Sequence, residues 1–392
     1  MPHRFASRHL LIIASACALL PPIAHGQQRE IAFAGFAYTG TASTRQERFP
    51  LSARYEASLL STGQSATKRI AALIAASPPK GFAMVGGIDD LKGRDQAIVT
   101  ALVVTNETSS VEQFGPIYKV LVLIRAQALF FDFKSQTVLR AYPFSFAYVD
   151  ALNHAPSNDE VFENIQRVYE GAESKPGIFA RYTSILANAA LPSSVPRFLQ
   201  ITEAVISPEV LEQLPAAFKA NTTSAQTWLA DLVSEAISSR AAVPILPYAQ
   251  GYAVNNVMAL SVSDGDVYNL TLPKPDYAIS VDLSKLKKVK YGESAAGSSF
   301  IYGSFATVKI VQPLAARSYL NAPLKNGEVK LVPASQSYVD DFPAYYDSIN
   351  GLFSKLADSF VGKGAGWVKS ASTASDIEQQ ISQTKELMQL CK

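Results

Sequence analysis

The sequence predicts an α+β protein of two related domains, each a mostly antiparallel sheet with a long hairpin and helices packed on one face, plus a C-terminal helix. Two observations predict this class. Residues 118–150 hold two apolar runs around a short polar turn, and each run keeps an apolar face that needs cover. The same order of strands and helices then recurs about 180 residues later, which predicts a duplication.

The central hairpin is defined by its period of two. Apolar side chains at Val120, Val122 and Ile124 alternate with polar side chains such as Lys119 and Arg125, as expected of a half-buried strand. A polar turn at residues 134–136 separates this strand from a second one. In that second strand four aromatic side chains share one face, namely Tyr142, Phe144, Phe146 and Tyr148.

The first 26 residues read as a secretory signal peptide. Arg4 and Arg8 precede an apolar run at residues 10–20, and small residues end at Gly26, after which we predict cleavage. The alternative is a lipoprotein signal in which Cys17 is lipidated, although no large aliphatic residue lies three positions before it. Either reading predicts a periplasmic or secreted protein.

Charge and rare residues limit the possible functions. Without Arg4 and Arg8 the mature chain carries 33 basic and 33 acidic side chains, so no basic surplus favours nucleic acid as a partner. Only His154 and Cys391 remain of their types, which excludes an internal disulfide and the usual zinc sites. We therefore predict no cofactor, no metal site and no catalytic residue.

No transmembrane segment is predicted after the signal peptide. The longest uncharged run, residues 241–263, contains Pro244, Pro247 and Gly251 together with two adjacent asparagines. A membrane-spanning helix of about 20 apolar residues would not tolerate so many helix breakers and amides.

The first domain is expected at residues 27–170. It should comprise a strand at 30–39, a helix at 65–77, strands at 82–88 and 95–106, the hairpin, and a helix after Ser157. Ser157 and Glu160 have the spacing of a capping box, which favours a helix start there.

The second domain is expected at residues 198–361, after a proline-containing linker at 171–197 with a short helical piece. It repeats a strand at 198–206, a helix at 223–240, a short strand at 243–248, a strand opening at Asp276, a hairpin and a helix at 342–360. Residues 362–392 are predicted as a glycine-rich linker and a C-terminal helix, which would dock on a partner or on its own chain.

This order of elements resembles the periplasmic family of the TolB amino-terminal domain and the CsgG-like outer-membrane secretion proteins. The run Asp276-Tyr277-Ala278-Ile279 is similar to the family's strand opening, and residues 301–312 resemble its first hairpin strand. The chain departs from the family at the hairpin turns, which lack the usual Thr-Gly. The resemblance implies protein–protein work in the cell envelope and no catalytic residues.

Several polar motifs offer alternatives to a non-catalytic function. Residues 292–297 miss the Gly-x-Ser-x-Gly motif by one position, so a serine hydrolase would rest on Ser294 with His154 as the base. The acidic pairs Asp89-Asp90 and Asp340-Asp341 are better explained as turn and cap residues. Cys391 could bridge two chains or stay an inert thiol.

The sequence therefore predicts a non-catalytic cell-envelope protein that acts in protein–protein interaction or assembly, by binding an envelope partner or by self-association. The candidate interaction surface is the stripe Tyr142, Phe144, Phe146 and Tyr148, on a strand that Pro143 marks as an edge; the same stripe would also suit a core. The alternative functions are a binder of an apolar small molecule or lipid between sheet and helices, and the less favoured hydrolase.

Overall fold

The computed structural model describes residues 29–91, 93, 97–172, 175–189, 191, 196–263, 265–336 and 339–392. The predicted signal peptide and Cys17 lie outside these residues. Within them the strands are β1 (Glu30–Thr39), β2 (Ala83–Val85), β3 (Ile98–Phe114), β4 (Ile117–Asp132), β5 (Thr137–Leu152), β6 (Gly171–Ala172), β7 (Lys175–Pro176), β8 (Leu199–Ile206), β9 (Val257–Val262), β10 (Val267–Thr271), β11 (Tyr277–Ser294), β12 (Gly297–Gln312) and β13 (Arg317–Pro333). The α-helices are α1 (Arg45–Arg48), α2 (Pro50–Ser61), α3 (Ala66–Ala76), α4 (Asn158–Glu170), α5 (Ile178–Asn188), α6 (Pro208–Leu211), α7 (Ala216–Ala220), α8 (Thr222–Ala241), α9 (Ala249–Tyr252), α10 (Phe342–Ser359), α11 (Ala365–Ala371) and α12 (Ile377–Leu390).

The first sheet has the strand order β2-β1-β3-β4-β5-β10-β9, and β1 also pairs with β9, so the sheet closes on itself. Its central part is the long meander β3-β4-β5, in which each strand pairs antiparallel with the next. Side chains at even positions of β4, such as Val122 and Ile124, pack against α2 to α5 in one core. The predicted α+β class with an antiparallel-rich sheet is confirmed, although α8 of the second unit also packs on the other face of this sheet.

The second sheet has the order β13-β12-β11-β8. Its inner face packs against α8 and α10, and the C-terminal helices α11 and α12 lie beside β13 in the same core. The amide of Asn321 in β13 donates to Gln380 of α12, which fixes the tail to the sheet. The predicted C-terminal helix therefore docks on its own chain.

The two sheets repeat each other in detail. β1 runs parallel to β3 as β8 runs parallel to β11, and two antiparallel strands follow in each sheet. The long strands share their irregularities: a bulge at Thr105 in β3 matches one at Ser284 in β11, and a bulge at Leu139 in β5 matches one at Tyr319 in β13. Each pair lies about 180 residues apart, so the repeat extends to local backbone geometry.

The two units stack face to back. Odd-numbered side chains of β4 point away from the first unit's own helices, and Arg125 and Gln127 on this side meet α8 of the second unit. The hairpin β9-β10 covers the rest of this face, where Met258, Leu260 and Leu270 join Leu129 and the neighbouring strands in a third core. The layers are therefore helices, sheet, helices and sheet.

Three sequence expectations need correction. Residues 171–197 are not a plain linker, because α5 places Phe179, Tyr182 and Leu186 in the first core. Residues 257–271, which the sequence assigned to the second domain, pair with the first sheet. Between the expected strand at 30–39 and the expected helix at 65–77 lies an unpredicted helix, α2, whose Tyr55 and Leu59 are buried.

Two further expectations have mixed outcomes. The strand expected at 95–106 runs from Ile98 to Phe114 in the structure. Residues 95 and 96 of the expected strand lie outside the described residues. The glycine-rich segment at 362–366 forms a tight turn, in which Gly362 and Gly364 adopt positive φ angles of 84° and 74° before α11 begins. Positive φ explains the need for glycine at both positions.

Candidate interaction surface

The aromatic stripe of β5 lies in the first core. Tyr142 and Phe144 are 8% and 3% exposed. Phe146 and Tyr148 are partly buried against the same core, and Arg167 of α4 donates to the Tyr148 hydroxyl over 3.0 Å. The stripe faces the unit's own helices and belongs to the first core. Pro143 does lie on a strand edge, because β5 pairs with β10 only at Thr137.

The residues weighed for a hydrolase have separate partners. His154 forms hydrogen bonds to Asn153 and Glu160, at 3.1 and 2.8 Å. Ser294 donates to the carbonyl oxygen of Gly297 within its own turn, over 3.4 Å. The structure therefore does not pair this nucleophile with this base.

The acidic pairs and the cysteine have structural surroundings that explain them, and Asp340 also pairs with Lys119 of the first unit at 3.1 Å. Asp340 caps the amide of Phe342 at the start of α10, and Asp341 accepts hydrogen bonds from Lys288 and Tyr302 at 2.7 and 2.6 Å. Asp90 accepts from the Gly87 amide in a turn. Cys391 is 1% exposed, and burial raises the pKa of its thiol to about 12.

A cluster of buried charges joins the two units. Glu235 of α8 accepts hydrogen bonds from the amide and the hydroxyl of Ser145 in β5, at 3.0 and 2.8 Å, and lies 3.5 Å from the Arg125 guanidinium. Burial lowers the pKa of Arg125, but the charges of Asp231 and Glu235 outweigh it and hold the pKa above its usual value. Asp231 accepts from the Tyr252 hydroxyl at 2.6 Å, and burial raises its pKa to about 6.

Perturbed ionisable groups in a cleft are candidates for a functional site. The cavity here has a volume of only about 20 Å³, enough for about one water molecule. Two donors that line it, Arg125 Nη2 and Gln127 Nε2, have no protein acceptor. The size and the paired charges favour a polar joint that fixes α8 on the first sheet.

The outer face of the second sheet has a different character. Cross-strand partners put three rows of side chains on it: Lys285–Phe305–Lys325, Lys287–Gly303–Gly327 and Val289–Ile301–Val329. Leu331 lies two residues beyond Val329 on β13, on the same face of the sheet. We call these ten residues the open face, because the described helices cover only the opposite face of this sheet.

Apolar groups are prominent on the open face. Val289, Val329 and Leu331 are 42%, 60% and 54% exposed. The Ile301 side chain lies so close to Gly327 that a Cβ atom there would be 3.2 Å from it, and the Phe305 side chain lies beside Gly303 at 3.4 Å, an ordinary contact distance. The missing side chain at Gly327 therefore makes room for Ile301 on the sheet. Large contiguous apolar patches on protein surfaces are candidates for interaction sites.

The charges of the open face are unbalanced. On the inner face, lysines pair with carboxylates, for example Lys288 with Asp341 at 2.7 Å and Lys330 with Asp347 at 2.5 Å. Lys285, Lys287 and Lys325 form no ion pair with any described residue. The open face is therefore an apolar strip bordered by three free cations.

The sequence signal for this surface is weak. The apolar residues of 285–291 are Leu286, Val289 and Tyr291, which do not all fall on one face of a strand, and residues 325–331 alternate apolar and basic side chains only from Val329 to Leu331. That pattern does not tell which face a helix covers, so the open face emerges only from the sheet pairing.

Other features of the described residues bear on the class of site. They contain no group of three or more His, Cys, Asp or Glu side chains arranged to hold a metal ion. No helix among them is both long and apolar enough to cross a bilayer. No protein-family model matches the chain, and no curated protein matches it.

Proposed function

We propose that this chain is a non-catalytic protein of the cell envelope that acts by protein–protein contact or assembly, and that the open face is its contact surface. The proposal rests on a difference between the two sheets in how many of their faces are covered by other elements. The first sheet is covered on both faces, by α2 to α5 on one side and by α8 and the β9-β10 hairpin on the other. In the described part of the chain, the second sheet is covered on one face only, by α8, α10 and the C-terminal helices.

The chemistry of the open face supports contact with a macromolecule. Its apolar side chains lie on a flat sheet surface, whereas the adjoining hairpin turn carries only the small residues Ser294, Ala295 and Ala296. The open face belongs to a β-sheet, whereas an amphipathic helix is the usual element that lies in a lipid surface with an apolar and basic face. A flat apolar strip with cations at its border suits a packed protein surface with acidic groups around it.

The proposed location rests on the amino-terminal sequence. A basic start, an apolar run and small residues up to Gly26 are typical of export through the inner membrane. The resemblance to the TolB amino-terminal and CsgG-like family, carried by residues 276–279 and 301–312, agrees with contact work in the envelope.

A binder of an apolar ligand would need a cavity between sheet and helices. The two best-formed cavities in the described part of the chain have volumes of about 20 and 10 Å³. Pockets for small molecules usually measure about 300–1,000 Å³. No observation favours this second function over the first.

Site-specific photocrosslinking in cells that make the protein tests the proposal. A photoreactive amino acid would replace Val329 on the open face, and a matched control would replace Leu314, which is 98% exposed in a turn away from that face. We expect a protein adduct from position 329 and none from position 314. Equal yields at both positions, or no adduct from position 329, would refute the open face as the contact surface.

A further inference from the structure

Helix α8 shows how a partner covers this type of sheet. One side of α8 packs in the second core through Trp228, Leu229 and Val233. Its other side, with Asp231, Ser234 and Glu235, lies against the first sheet. Burial on both sides explains why α8 carries few charged residues for its length.

Helix α3 is the counterpart of α8 in the first unit. It packs on β1 as α8 packs on β8. Each helix is followed by a short segment that pairs parallel with the strand beneath it: β2 pairs with β1 after α3, and Leu246 pairs with Gln200 of β8 after α8. After Arg69 every residue of α3 is apolar, which is typical of a helix buried on all sides. Yet only Ile70 and Ile74 of this part are buried; the exposed positions are Ala71, Ala72, Leu73, Ala75 and Ala76.

The open face is the counterpart of the first-sheet surface that α8 covers. The shift of about 180 residues relates Leu121, Leu123 and Arg125 in β4 to Ile301, Gly303 and Phe305 in β12. In the first unit this surface meets helices of the second unit, with Arg125 beside Glu235 and Lys119 beside Asp340 at 3.1 Å. The complete interface, a sheet covered by the helices of the next unit, exists between the first sheet and the second unit. The outer helices of the first unit and the open face of the second sheet are the two halves of the same kind of interface, each without its partner in the described structure.

We propose that a second copy of the chain occupies the open face, with its α3 and α4 helices lying on the second sheet. This inference rests on the proposed function and names the partner. Contact would be head to tail, because two open faces would bring Lys285, Lys287 and Lys325 of each copy against each other. Helix α4 carries Asp159 and Glu163, whose side chains are 86% and 60% exposed and which pair with Arg54 and Arg167 at 2.7 and 3.5 Å; these exposed carboxylates would lie near the open-face lysines in a head-to-tail contact. Head-to-tail contacts extend into rings or filaments.

Sedimentation velocity of the mature chain, from low to high micromolar concentration, tests the proposal with two variants. The open-face variant is Val329→Arg with Leu331→Arg, and the helix variant is Ala72→Arg with Ala75→Arg. All four positions are exposed, so the fold should persist, which circular dichroism checks. The control is Leu314→Arg, which lies outside both surfaces.

We expect the wild-type chain and the Leu314→Arg control to gain mass with concentration, and each double variant to remain monomeric. An equimolar mixture of the two variants should form dimers that grow no further, because one intact open face meets one intact helix surface. A symmetric contact between identical surfaces would not give this complementation. A wild-type chain that stays monomeric, or a mixture that stays monomeric, would overturn the proposal.

The result is separable from that for the proposed function. Crosslinking from position 329 to a different protein, together with a monomeric wild-type chain, would overturn self-stacking and leave contact through the open face standing. Absence of both adducts and association would overturn both.

Discussion

Replacing Glu235 with alanine should loosen the joint between the two units. Glu235 lies on α8 of the second unit, and its carboxylate accepts hydrogen bonds from the amide and hydroxyl of Ser145 on the first sheet. It is also the carboxylate that contacts Arg125, which is 4% exposed and has one donor without an acceptor. The substitution leaves buried donors without their partner.

The magnitude follows from these contacts. Breaking a buried ion pair by removing one member costs about 3–5 kcal/mol, because the other charge stays buried. Two considerations lower the figure here: the Glu235 side chain is 25% exposed, and Asp231 remains near Arg125. We expect Glu235→Ala to lower the free energy of unfolding by about 3 kcal/mol. Glu235→Gln keeps an acceptor for Ser145 and should lower it by about 1–2 kcal/mol.

Urea unfolding near neutral pH, followed by far-ultraviolet circular dichroism and by tryptophan fluorescence, measures both effects. Trp228 and Trp367 both belong to the second unit, so fluorescence reports that unit and dichroism reports both. The double variant Arg125→Met with Glu235→Leu removes both members of the ion pair and leaves Asp231 in place, so its loss of stability should be smaller than the sum of the two single losses. A Glu235→Ala change within about 0.5 kcal/mol of wild type, or a double variant as unstable as the sum of the single ones, would refute a charge-paired joint.

Three further predictions concern buried groups. Phe144→Ala should cost about 3–5 kcal/mol by leaving a cavity, whereas Val149→Ala, at a 56% exposed position on the other face of β5, should cost less than about 0.5 kcal/mol; equal losses in urea unfolding would contradict a core stripe. Burial raises the pKa of Asp231 from 3.8 to about 6, so the folded state holds the proton of this carboxyl more tightly than the unfolded state does. The free energy of unfolding should therefore fall by up to about 3 kcal/mol as the pH rises from about 4 to about 6. Asp231→Asn should flatten this pH dependence of stability, and an unchanged dependence would exclude this carboxyl as its source. A maleimide should label Cys391 only after unfolding, because burial keeps the thiol protonated and covered, and rapid labelling of the native chain would contradict that burial.

The sequence predicts the sheet-forming parts best, for a clear physical reason. In residues 119–125 the apolar residues Val120, Val122 and Ile124 occupy even positions and the charged residues Lys119 and Arg125 occupy odd positions, which favours an extended strand with two unlike faces. The capping box at Ser157 and Glu160 is equally local, and both of its reciprocal hydrogen bonds form at the start of α4. Patterns whose cause lies within a few residues are thus readable from the chain alone.

Long-range pairing explains what the sequence did not predict. The hairpin β9-β10 follows a helix of the second unit, and nothing near Val257 or Thr271 states that its partners are β1 and β5. The aromatic stripe could be a core or a surface until α4 and α5 are placed over it. The open face is recognised only once β11, β12 and β13 are in register.

The closure of the first sheet has a consequence for biosynthesis. β1 is made early, but its antiparallel neighbour β9 lies more than 200 residues further along the chain, as the register Ala37↔Val262 shows. Until that hairpin leaves the ribosome, the end of β1 at residues 37–39 exposes unpaired backbone groups that could recruit other strands. A fragment that stops before residue 257 would keep this edge permanently, so truncation between the units should yield aggregates rather than an isolated amino-terminal half.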